Sequence, residues 1–301
     1  MGIESDWITE NVALIRGLND ARFPHSHSFL IRGEKCALID TGCGAGPLKA
    51  LREKNHVDFV INSHTHPDHV SGNWIFNGYD LWSPIQTKDA AGRLDKLAKR
   101  FVGEKNAVKW KKFVVGSMGF RDYTPTNFFD DNHVFDLEPI KLRAVHIPGH
   151  VKDHFCFFID EEKILFSSDI DLTDFGPWYG HEESDIPLFI ASIKKVRDLK
   201  PRMILSSHRS AVKENIDEEF EKYLGIFEER EKRILDFLRG EKSLEDFVKR
   251  SLIYGGYPYP KEISRYWEGE MVLKHLKILE EKGEVERIKR NGKIFFKRGK
   301  R

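Results

Sequence analysis

The sequence predicts an α/β protein: a four-layer αββα sandwich of two packed sheets with helices on both outer faces, followed by a small C-terminal domain of winged-helix type. Short apolar runs of strand length occur in two batches with helical segments between them. Several runs end in a His or Asp, as expected when ligand-bearing loops gather at one rim of the sheets. After residue 212 the alternation of short strands and helices gives way to long helical segments, so we expect a catalytic domain at 1–212 and a second domain at 213–301.

The first batch begins with antiparallel strands. Two apolar runs flank the polar, glycine-containing segment 32–35, which is typical of a hairpin turn. The predicted elements are strands at 12–15, 29–31 and 37–39, a helix at 47–54 and a strand at 59–61. A further helix is expected soon after residue 66, with Asp68 as its capping side chain.

Residues 86–129 separate the two batches and are interpreted as an insertion over the site. They carry an aromatic and basic stretch, which favours core or lid packing and an apolar substrate wall equally. The second batch then follows as strands at 141–145, 155–159 and 163–166, a helix at 188–199 and a strand at 203–205.

The tail has a different pattern. A long amphipathic helix is predicted at 213–236, then helices at 243–251 and 268–282, then a hairpin with strands at 285–288 and 293–296. From Arg230 onward there are 20 Lys and Arg against 12 Asp and Glu, a net +8, whereas the preceding residues have 29 against 36, a net −7. Helix, helix and hairpin are typical of a winged helix.

Composition excludes several classes of protein. With 40% hydrophobic and 12% aromatic residues, the 301-residue chain can build a large core and is neither collagen-like nor disordered. No apolar run reaches the ~18 residues needed to span a bilayer, and the acidic start lacks the features of a signal peptide, so we expect a cytoplasmic protein without a membrane partner. The single Gln beside abundant Lys, Glu and Arg is typical of thermophile proteins.

Metal-ligating side chains are concentrated in one short segment. His64, His66, Asp68 and His69 lie within six residues, and imidazole nitrogen and carboxylate oxygen suit a borderline divalent metal. In an extended segment the two histidines at positions 64 and 66 point the same way, while the next two ligands can reach a second centre. We therefore expect two adjacent metals, with further ligands from later apolar runs: His150, Asp169 and His208. The three scattered Cys residues predict no thiolate ligand.

Five short motifs in this order resemble those of the metallo-β-lactamase-fold hydrolase superfamily over residues 10–212. The motifs are Asp40 in segment 38–42, the cluster from His64 to His69, His150, Asp169 and His208. The resemblance implies that metal 1 is held by His64, His66 and His150, and metal 2 by Asp68, His69 and His208. It also implies that Asp169 bridges the two metals, and that Asp40 is a buried carboxylate that orients ligands without touching metal.

The resemblance further implies two divalent metal ions and a hydrolytic reaction. Zinc is the first choice, with iron and manganese as alternatives, and His66 stands where oxygen-reducing diiron members have a Glu. Two dications would lower the pKa of a bridging water from 15.7 toward neutrality, so that hydroxide attacks the substrate while Asp68 handles a proton. The serine-hydrolase motif Gly-x-Ser-x-Gly is absent from the sequence.

Some histidines remain open to two interpretations. His154 follows the third motif and is either a substrate-binding residue, as in some members of the superfamily, or a polar residue of a strand. His25 and His27 precede a core strand near the expected pocket rim, but no motif includes them. The other histidines are interpreted as structural or surface residues: His56, His133, His146, His181 and His275.

Two functions fit these observations. The first is hydrolysis of a small ester, thioester or lactone, similar to hydroxyacylglutathione hydrolases. The alternative is a phosphodiesterase or endoribonuclease acting on single-stranded RNA, because the chain also resembles the β-lactamase-like protein 2 group, which joins this fold to a C-terminal winged-helix-like domain. The basic C-terminal end, 289–301, could bind nucleic acid, whereas the net −7 of the body opposes RNA. A homodimer contact and a pocket wall are other uses of such a tail.

Overall fold

Two packed sheets form the centre of the fold in the computed structural model, which describes residues 6–258 and 260–299. Residues 1–5 of the acidic start, and Lys300 and Arg301 of the basic end, lie outside the described residues. Within the described residues, no helix combines the length and the apolar character needed to cross a membrane.

The first sheet has seven strands in sequence order. They are β1 (Asp6–Trp7), β2 (Val12–Ile15), β3 (Ser28–Arg32), β4 (Cys36–Ile39), β5 (Phe59–Ile61), β6 (Asp80–Pro84) and β7 (Asn127–Phe129). Strands β1 to β4 pair antiparallel, which confirms the predicted hairpin, and β4 to β7 pair parallel. The insertion therefore ends in an edge strand, β7, that the sequence analysis did not anticipate; its Phe129 is buried between the sheets.

The second sheet has five strands in the order β12-β11-β10-β9-β8. They are β8 (Val134–Asp136), β9 (Lys141–His146), β10 (Phe155–Ile159), β11 (Ile164–Ser168) and β12 (Met203–Ser206). All neighbours pair antiparallel except β11 and β12, which are parallel. The crossover between these two parallel strands contains the helix that covers the outer face.

Seven α-helices and a small third sheet complete the described chain. The helices are α1 (Ala45–Lys54), α2 (Pro67–Val70), α3 (Leu94–Met118), α4 (Ile186–Arg197), α5 (Ile216–Phe237), α6 (Leu244–Arg250) and α7 (Lys261–Glu281). Short 3-10 segments lie at Leu18–Ala21, Asn73–Phe76 and Ile85–Thr87. The third sheet has the order β13-β15-β14, with β13 (Lys242–Ser243), β14 (Val285–Arg290) and β15 (Lys293–Arg298).

Three apolar clusters correspond to the three interfaces of a four-layer sandwich. Along β10, Phe155 and Phe157 lie between the two sheets, whereas Cys156 and Phe158 face the helices outside, as strand alternation requires. The outer face of the first sheet packs on α1 and α3, and that of the second sheet on α4 and α5. The predicted αββα architecture is confirmed.

Two predicted helix starts differ from the structure. Helix α2 begins at Pro67 with His66 before it and without a side-chain cap, so the prediction that Asp68 caps this helix is wrong. Proline has the φ angle of a first helical residue and no amide hydrogen to satisfy, so the start needs no capping carboxylate. Helix α7 begins at Lys261 instead of residue 268, because its first turns bury Ile263 and Trp267 against the body.

The C-terminal elements follow in the predicted order of helix, helix and hairpin, and α6 begins with a capping box formed by Ser243 and Asp246. One apolar cluster contains the outer face of the second sheet together with buried residues of α5, α7 and β15. The tail thus shares a core with the body. The domain boundary at residue 212 and the assignment as a winged helix stay predictions.

Candidate metal centre

The predicted ligands follow strands that end at one rim of the two sheets. Asp40 comes directly after β4, and His64 comes shortly after β5. Asp169 comes directly after β11, and His208 two residues after β12. Because β4 and β5 are parallel, and β11 and β12 are parallel, the carboxyl ends of each pair lie at the same edge. His150, in the loop after β9, reaches the same place.

One group of ligand atoms surrounds the Oδ2 atom of Asp169. His64, His66, His150 and Asp169 are all buried, and each offers one ligand atom within 4.8 Å of the others. Asp169 Oδ2 lies 3.5 Å from His64 Nε2, 3.8 Å from His66 Nδ1 and 3.1 Å from His150 Nε2. We call this set the first ligand group; it is the composition expected for metal 1 with the bridging carboxylate.

A second group lies on the other side of the same carboxylate. Asp68, His69 and His208 also bring ligand atoms within 4.8 Å of one another. Asp169 Oδ1 lies 2.9 Å from His69 Nε2 and 3.5 Å from His208 Nε2, and Asp68 Oδ2 lies 3.6 Å from His208 Nε2. We call Asp68, His69 and His208 the second ligand group. The two oxygens of Asp169 therefore face different groups, as a bridging ligand must.

The outer nitrogens of three histidines are held by oxygen acceptors. The pairs are His150 Nδ1 with the Trp178 carbonyl at 2.7 Å, His69 Nδ1 with Asp40 Oδ2 at 2.8 Å, and His208 Nδ1 with the Ala21 carbonyl at 2.7 Å. An imidazole nitrogen must donate its N–H to such an acceptor, which places the proton of the neutral ring on Nδ1. In the neutral rings the Nε2 lone pairs then face the carboxylate oxygens of Asp169, an arrangement that a cation between them would stabilise.

Unpartnered atoms also fit a metal. Within the described residues, His64 Nε2, His69 Nε2 and Asp169 Oδ1 are buried side-chain atoms without a hydrogen-bond partner. His69 Nε2 and Asp169 Oδ1 are close, but their geometry is not that of a hydrogen bond. Leaving a buried polar atom unpaired costs about 1–3 kcal/mol, so several such atoms converging on one place indicate a bound ion. The His/Asp groups are therefore able to bind metal ions.

The proton affinities of the buried histidines show the same demand for positive charge. Burial lowers the pKa of His208, but Asp169 and Asp68 outweigh burial and raise it to about 9. Burial likewise opposes protonation of His69, yet the charge of Asp169 holds its pKa well above the ordinary value. In contrast, burial and the neighbouring His69 lower the pKa of His64. The pair of carboxylates thus attracts cations to the second ligand group in particular.

Asp40 and His154 lie behind the ligands. Asp40 is 2% exposed, accepts hydrogen bonds from the amide and hydroxyl of Ser63, both at 2.7 Å, and accepts a third from His69. His154 is fully buried, and its Nε2 accepts the amide hydrogen of Asp169 at 3.2 Å. In this position His154 orients the backbone that carries Asp169. Its predicted contact with substrate stays a prediction.

The sequence analysis missed an ion-pair network beneath the segment between His64 and His66. Asp153 Oδ2 accepts the amide hydrogen of Thr65 at 2.9 Å and its hydroxyl hydrogen at 2.7 Å. Arg100 of α3 pairs with Asp153 and Glu183 and donates to the Thr65 hydroxyl. No local pattern identifies these residues, because the three charged side chains come from distant parts of the sequence. Only the tertiary fold brings them together to fix the ligand segment.

His25 and His27 lie near the second ligand group without belonging to it. His27 is buried, and its Nδ1 accepts the amide hydrogen of Gly17 at 3.1 Å. Burial, followed by the nearby charge of His208, lowers the pKa of His27 to about 4. His25 is half-buried, and the charge of Asp68 partly offsets the lowering of its pKa by burial. Their positions support a structural role for His27 and leave His25 at the rim.

Aromatic side chains of the insertion, the body and the tail pack beside the first ligand group. The Phe101 ring of α3 lies 4.7 Å from that of His66, and Trp178 lies 5.6 Å from His150. Trp178 in turn packs edge-on against Trp267 of α7 at 5.3 Å. The insertion and the tail thus both pack beside the first ligand group. Nearly half of the residues of helix α7 are buried against the rest of the described chain.

Comparison with known proteins agrees with the motifs. The sequence pattern of the family described as "Metallo-beta-lactamase superfamily" matches residues 21–208. The chain is 22% identical to a Beta-lactamase-like protein 2 homolog of Caenorhabditis elegans, over 89% of this chain and 85% of that protein. It is 26% identical to the Drosophila melanogaster protein of the same name, over 96% and 94%. An Atrochrysone carboxyl ACP thioesterase of Claviceps purpurea is 34% identical over 42% of this chain and 40% of that protein.

Solved structures share the fold over nearly the whole chain. A metallo-beta-lactamase family protein from Thermus thermophilus has a TM-score of 0.74 at 21% identity, covering 96% of this chain and 99% of that one. A beta-lactamase domain protein from Burkholderia ambifaria has a TM-score of 0.72 at 16% identity, covering 99% and 94%. At these identities the likeness concerns the fold, and it includes the C-terminal region.

Proposed function

The chain belongs to the metallo-beta-lactamase superfamily of hydrolases, and from this premise we propose that it uses two divalent metal ions to hydrolyse a small ester, thioester or lactone. One observation carries the proposal. The two oxygens of Asp169 face two separate groups of buried ligand atoms, with Oδ2 toward the first ligand group and Oδ1 toward the second. A mononuclear site would need only one of these groups.

The donor set supports zinc as the native metal. Both groups offer imidazole nitrogen and carboxylate oxygen without sulfur, and all three cysteines are buried thiols. Zinc accepts this set, as do iron and manganese. When bound, two such ions act as Lewis acids and lower the pKa of water so that hydroxide is available near neutral pH.

The residues of this chain would orient the reaction and handle its proton. Asp169 separates the two groups and is held from behind by the bond between its amide and His154. The side chain of Asp68 is 8% exposed and that of the neighbouring His208 is 15% exposed, so solvent approaches the second ligand group on this side. We propose that Asp68 takes the proton that the attacking water loses and returns it to the leaving oxygen or sulfur. Burial of the ligands excludes bulk water from the other sides.

One comparison supports an acyl substrate. A relative that shares part of the chain carries the name of a thioesterase.

The basic tail gives little support to RNA as a substrate. Most basic side chains of the β14–β15 hairpin pair with neighbouring acids: Arg287 with Glu280, Arg290 with Glu241, Lys297 with Glu286 and Arg298 with Asp236. Paired charges attract phosphates less than free ones, and helix α7 packs against the body. If the tail binds nucleic acid or a second subunit, we expect it to use a surface other than the β14–β15 hairpin and the buried side of α7.

A substrate panel tests the proposal. Protein loaded with zinc is expected to hydrolyse thioesters, esters or lactones, and His64→Ala is expected to abolish the activity. His56→Ala serves as the control, because the side chain of His56 is 76% exposed and lies outside both ligand groups. Cleavage of a fluorescent single-stranded RNA that requires His64, without any ester or thioester turnover, would overturn the proposal in favour of the ribonuclease.

A further inference from the structure

His66 differs from three of the other ligand histidines in what holds its outer nitrogen. His69, His150 and His208 each donate to an oxygen that can only accept. The Nε2 atom of His66 instead lies 2.7 Å from the Nε2 atom of another imidazole, His181. Since an imidazole nitrogen can either donate or accept, this contact does not by itself determine which nitrogen of His66 carries the proton.

A second contact of His181 removes the ambiguity. His181 Nδ1 lies 2.8 Å from the backbone carbonyl of Phe101 in α3, which can only accept, so Nδ1 carries a proton. In the neutral ring this is the only proton, so Nε2 of His181 accepts. His66 therefore donates from Nε2, and its Nδ1 offers a lone pair to the first ligand group, 3.8 Å from Asp169 Oδ2 and 3.0 Å from His150 Nε2.

The Phe101 carbonyl is available because α3 is interrupted. Gly103 has φ 66° and ψ 170°, which divides the helix into two segments. The last carbonyls of a helical segment have no intrahelical partner, and Phe101 lies two residues before the break. Its carbonyl is thus free to accept from His181.

Packing fixes the plane of the His181 ring. The Phe101 ring stacks on it with centroids 4.4 Å apart and planes inclined by 23°, and Trp178 packs edge-on at 4.7 Å. The same loop supports His150, because the Ser184 hydroxyl donates to the His150 carbonyl at 2.7 Å. His181 is therefore held by two hydrogen bonds and by ring packing, although the sequence analysis assigned it to structural or surface histidines.

We propose that His181 is a positioning residue that holds His66 in the tautomer with the proton on Nε2, and so presents Nδ1 as the metal ligand. The hydrogen bonds run from His66 to His181 and on to the Phe101 carbonyl, so the position of α3 controls this ligand of the first group. The inference rests on the proposed metal centre, because the lone pair of His66 Nδ1 has a role only if a metal binds there.

Two substitutions separate the hydrogen bond from the packing. His181→Phe keeps a planar ring against Phe101 but cannot accept from His66. His181→Gln can accept through its carbonyl oxygen and donate its amide hydrogen to the Phe101 carbonyl. We expect His181→Phe to weaken zinc binding at the first ligand group about 10- to 100-fold, as measured by competition with chelators of graded affinity, and His181→Gln to remain within about threefold of the native protein.

His275→Phe is the matched control. His275 is also fully buried, and its Nε2 bonds to the hydroxyl of Tyr179 at 2.6 Å, but it belongs to neither ligand group. We expect its zinc affinity to equal that of the native protein once both are confirmed to be folded by thermal unfolding. Equal loss in His181→Phe and His181→Gln, or native affinity in His181→Phe, would overturn the proposal.

A measurement on the metal-free native protein needs no variant. Nitrogen-15 NMR of the imidazole rings distinguishes the two tautomers, and we expect His66 to carry its proton on Nε2 and His181 on Nδ1. A proton on Nδ1 of His66 would overturn the proposal. Neither this readout nor metal affinity depends on turnover, so failure of the thioester assay in the native protein counts against the proposed function alone.

Discussion

Asp40→Asn is expected to weaken the second ligand group by changing the tautomer of His69. Asp40 Oδ1 accepts the amide hydrogen of Ser63 at 2.7 Å, and Oδ2 accepts from the Ser63 hydroxyl at 2.7 Å and from His69 Nδ1 at 2.8 Å. An asparagine side chain has one accepting and one donating end. Its amide nitrogen must therefore face at least one of the groups that now donate a hydrogen bond to Asp40.

The orientation of the new amide follows from what each partner can change. The backbone N–H of Ser63 can only donate, so the amide oxygen must remain opposite it. The amide nitrogen then faces the Ser63 hydroxyl, which can rotate, and His69 Nδ1, which must become an acceptor. His69 would carry its proton on Nε2, directed at Asp169 Oδ1 only 2.9 Å away.

The loss of metal affinity can be estimated, because the proton on His69 Nε2 competes with the metal for that nitrogen. Loss of such a supporting partner costs about 10- to 100-fold in metal affinity, equivalent to about 1.4–2.7 kcal/mol. Affinity at the first ligand group should fall less, because none of its three histidines bonds to Asp40 directly; His64 is linked to it only through the Ser63 hydroxyl, 3.0 Å from His64 Nδ1. The variant should therefore lose more affinity for one zinc ion than for the other.

Zinc competition titrations and nitrogen-15 NMR of His69 measure the two parts of this prediction. Asp58→Asn is the control, because Asp58 also accepts a backbone amide, that of Cys36 at 2.7 Å, and contacts the ring of His56 at 2.8 Å, but lies outside the site. Native affinity for both ions in Asp40→Asn, or a His69 proton that stays on Nδ1, would refute the reasoning.

Two further substitutions test the support of the first ligand group. Burial opposes ionisation of Asp153, but the charge of Arg100 outweighs burial and holds the pKa of Asp153 below its usual range. The ionised carboxylate therefore stabilises the fold above about pH 4, and this stabilisation is lost as the pH falls. Asp153→Asn should cost about 3 kcal/mol in free energy of unfolding at pH 7 and flatten the acid dependence in urea titrations; unchanged acid dependence would contradict this. Gly149 has φ 126°, and an added Cβ would lie 2.3 Å from the Phe189 backbone. Gly149→Ala should therefore lower the free energy of unfolding by about 2–4 kcal/mol and shift the adjacent His150, which lowers zinc affinity. A loss under about 0.5 kcal/mol would contradict the close approach.

Local patterns in the sequence were sufficient for the architecture and for naming the seven candidate ligands that the fold brings together in two groups. Strand-length apolar runs and the spacing of His64, His66, Asp68 and His69 are properties of neighbouring residues, and the later ligands follow strands whose ends must meet. The helix after His66 was predicted correctly in place, but its start was assigned to the wrong residue because Pro67 replaces the cap.

The supporting residues could not be predicted, because their partners are distant in sequence. His181 contacts His66 across 115 positions, and Arg100 contacts Asp153 across 53. The acceptors of His150 and His208 are backbone carbonyls, which any residue type supplies. The start of α7 could not be predicted because it depends on tertiary packing: Trp267 is buried by the body and not by its own helix.

Anomalous X-ray scattering at the zinc edge, recorded from crystals grown with zinc, tests the central claim most directly. We predict two peaks on opposite sides of the Asp169 carboxylate, one against His64, His66 and His150 and the other against Asp68, His69 and His208. Metal analysis should give about two ions per chain, and one or fewer in Asp169→Ala, because both groups share this carboxylate. A single peak in the native protein, or full occupancy in Asp169→Ala, would contradict the account.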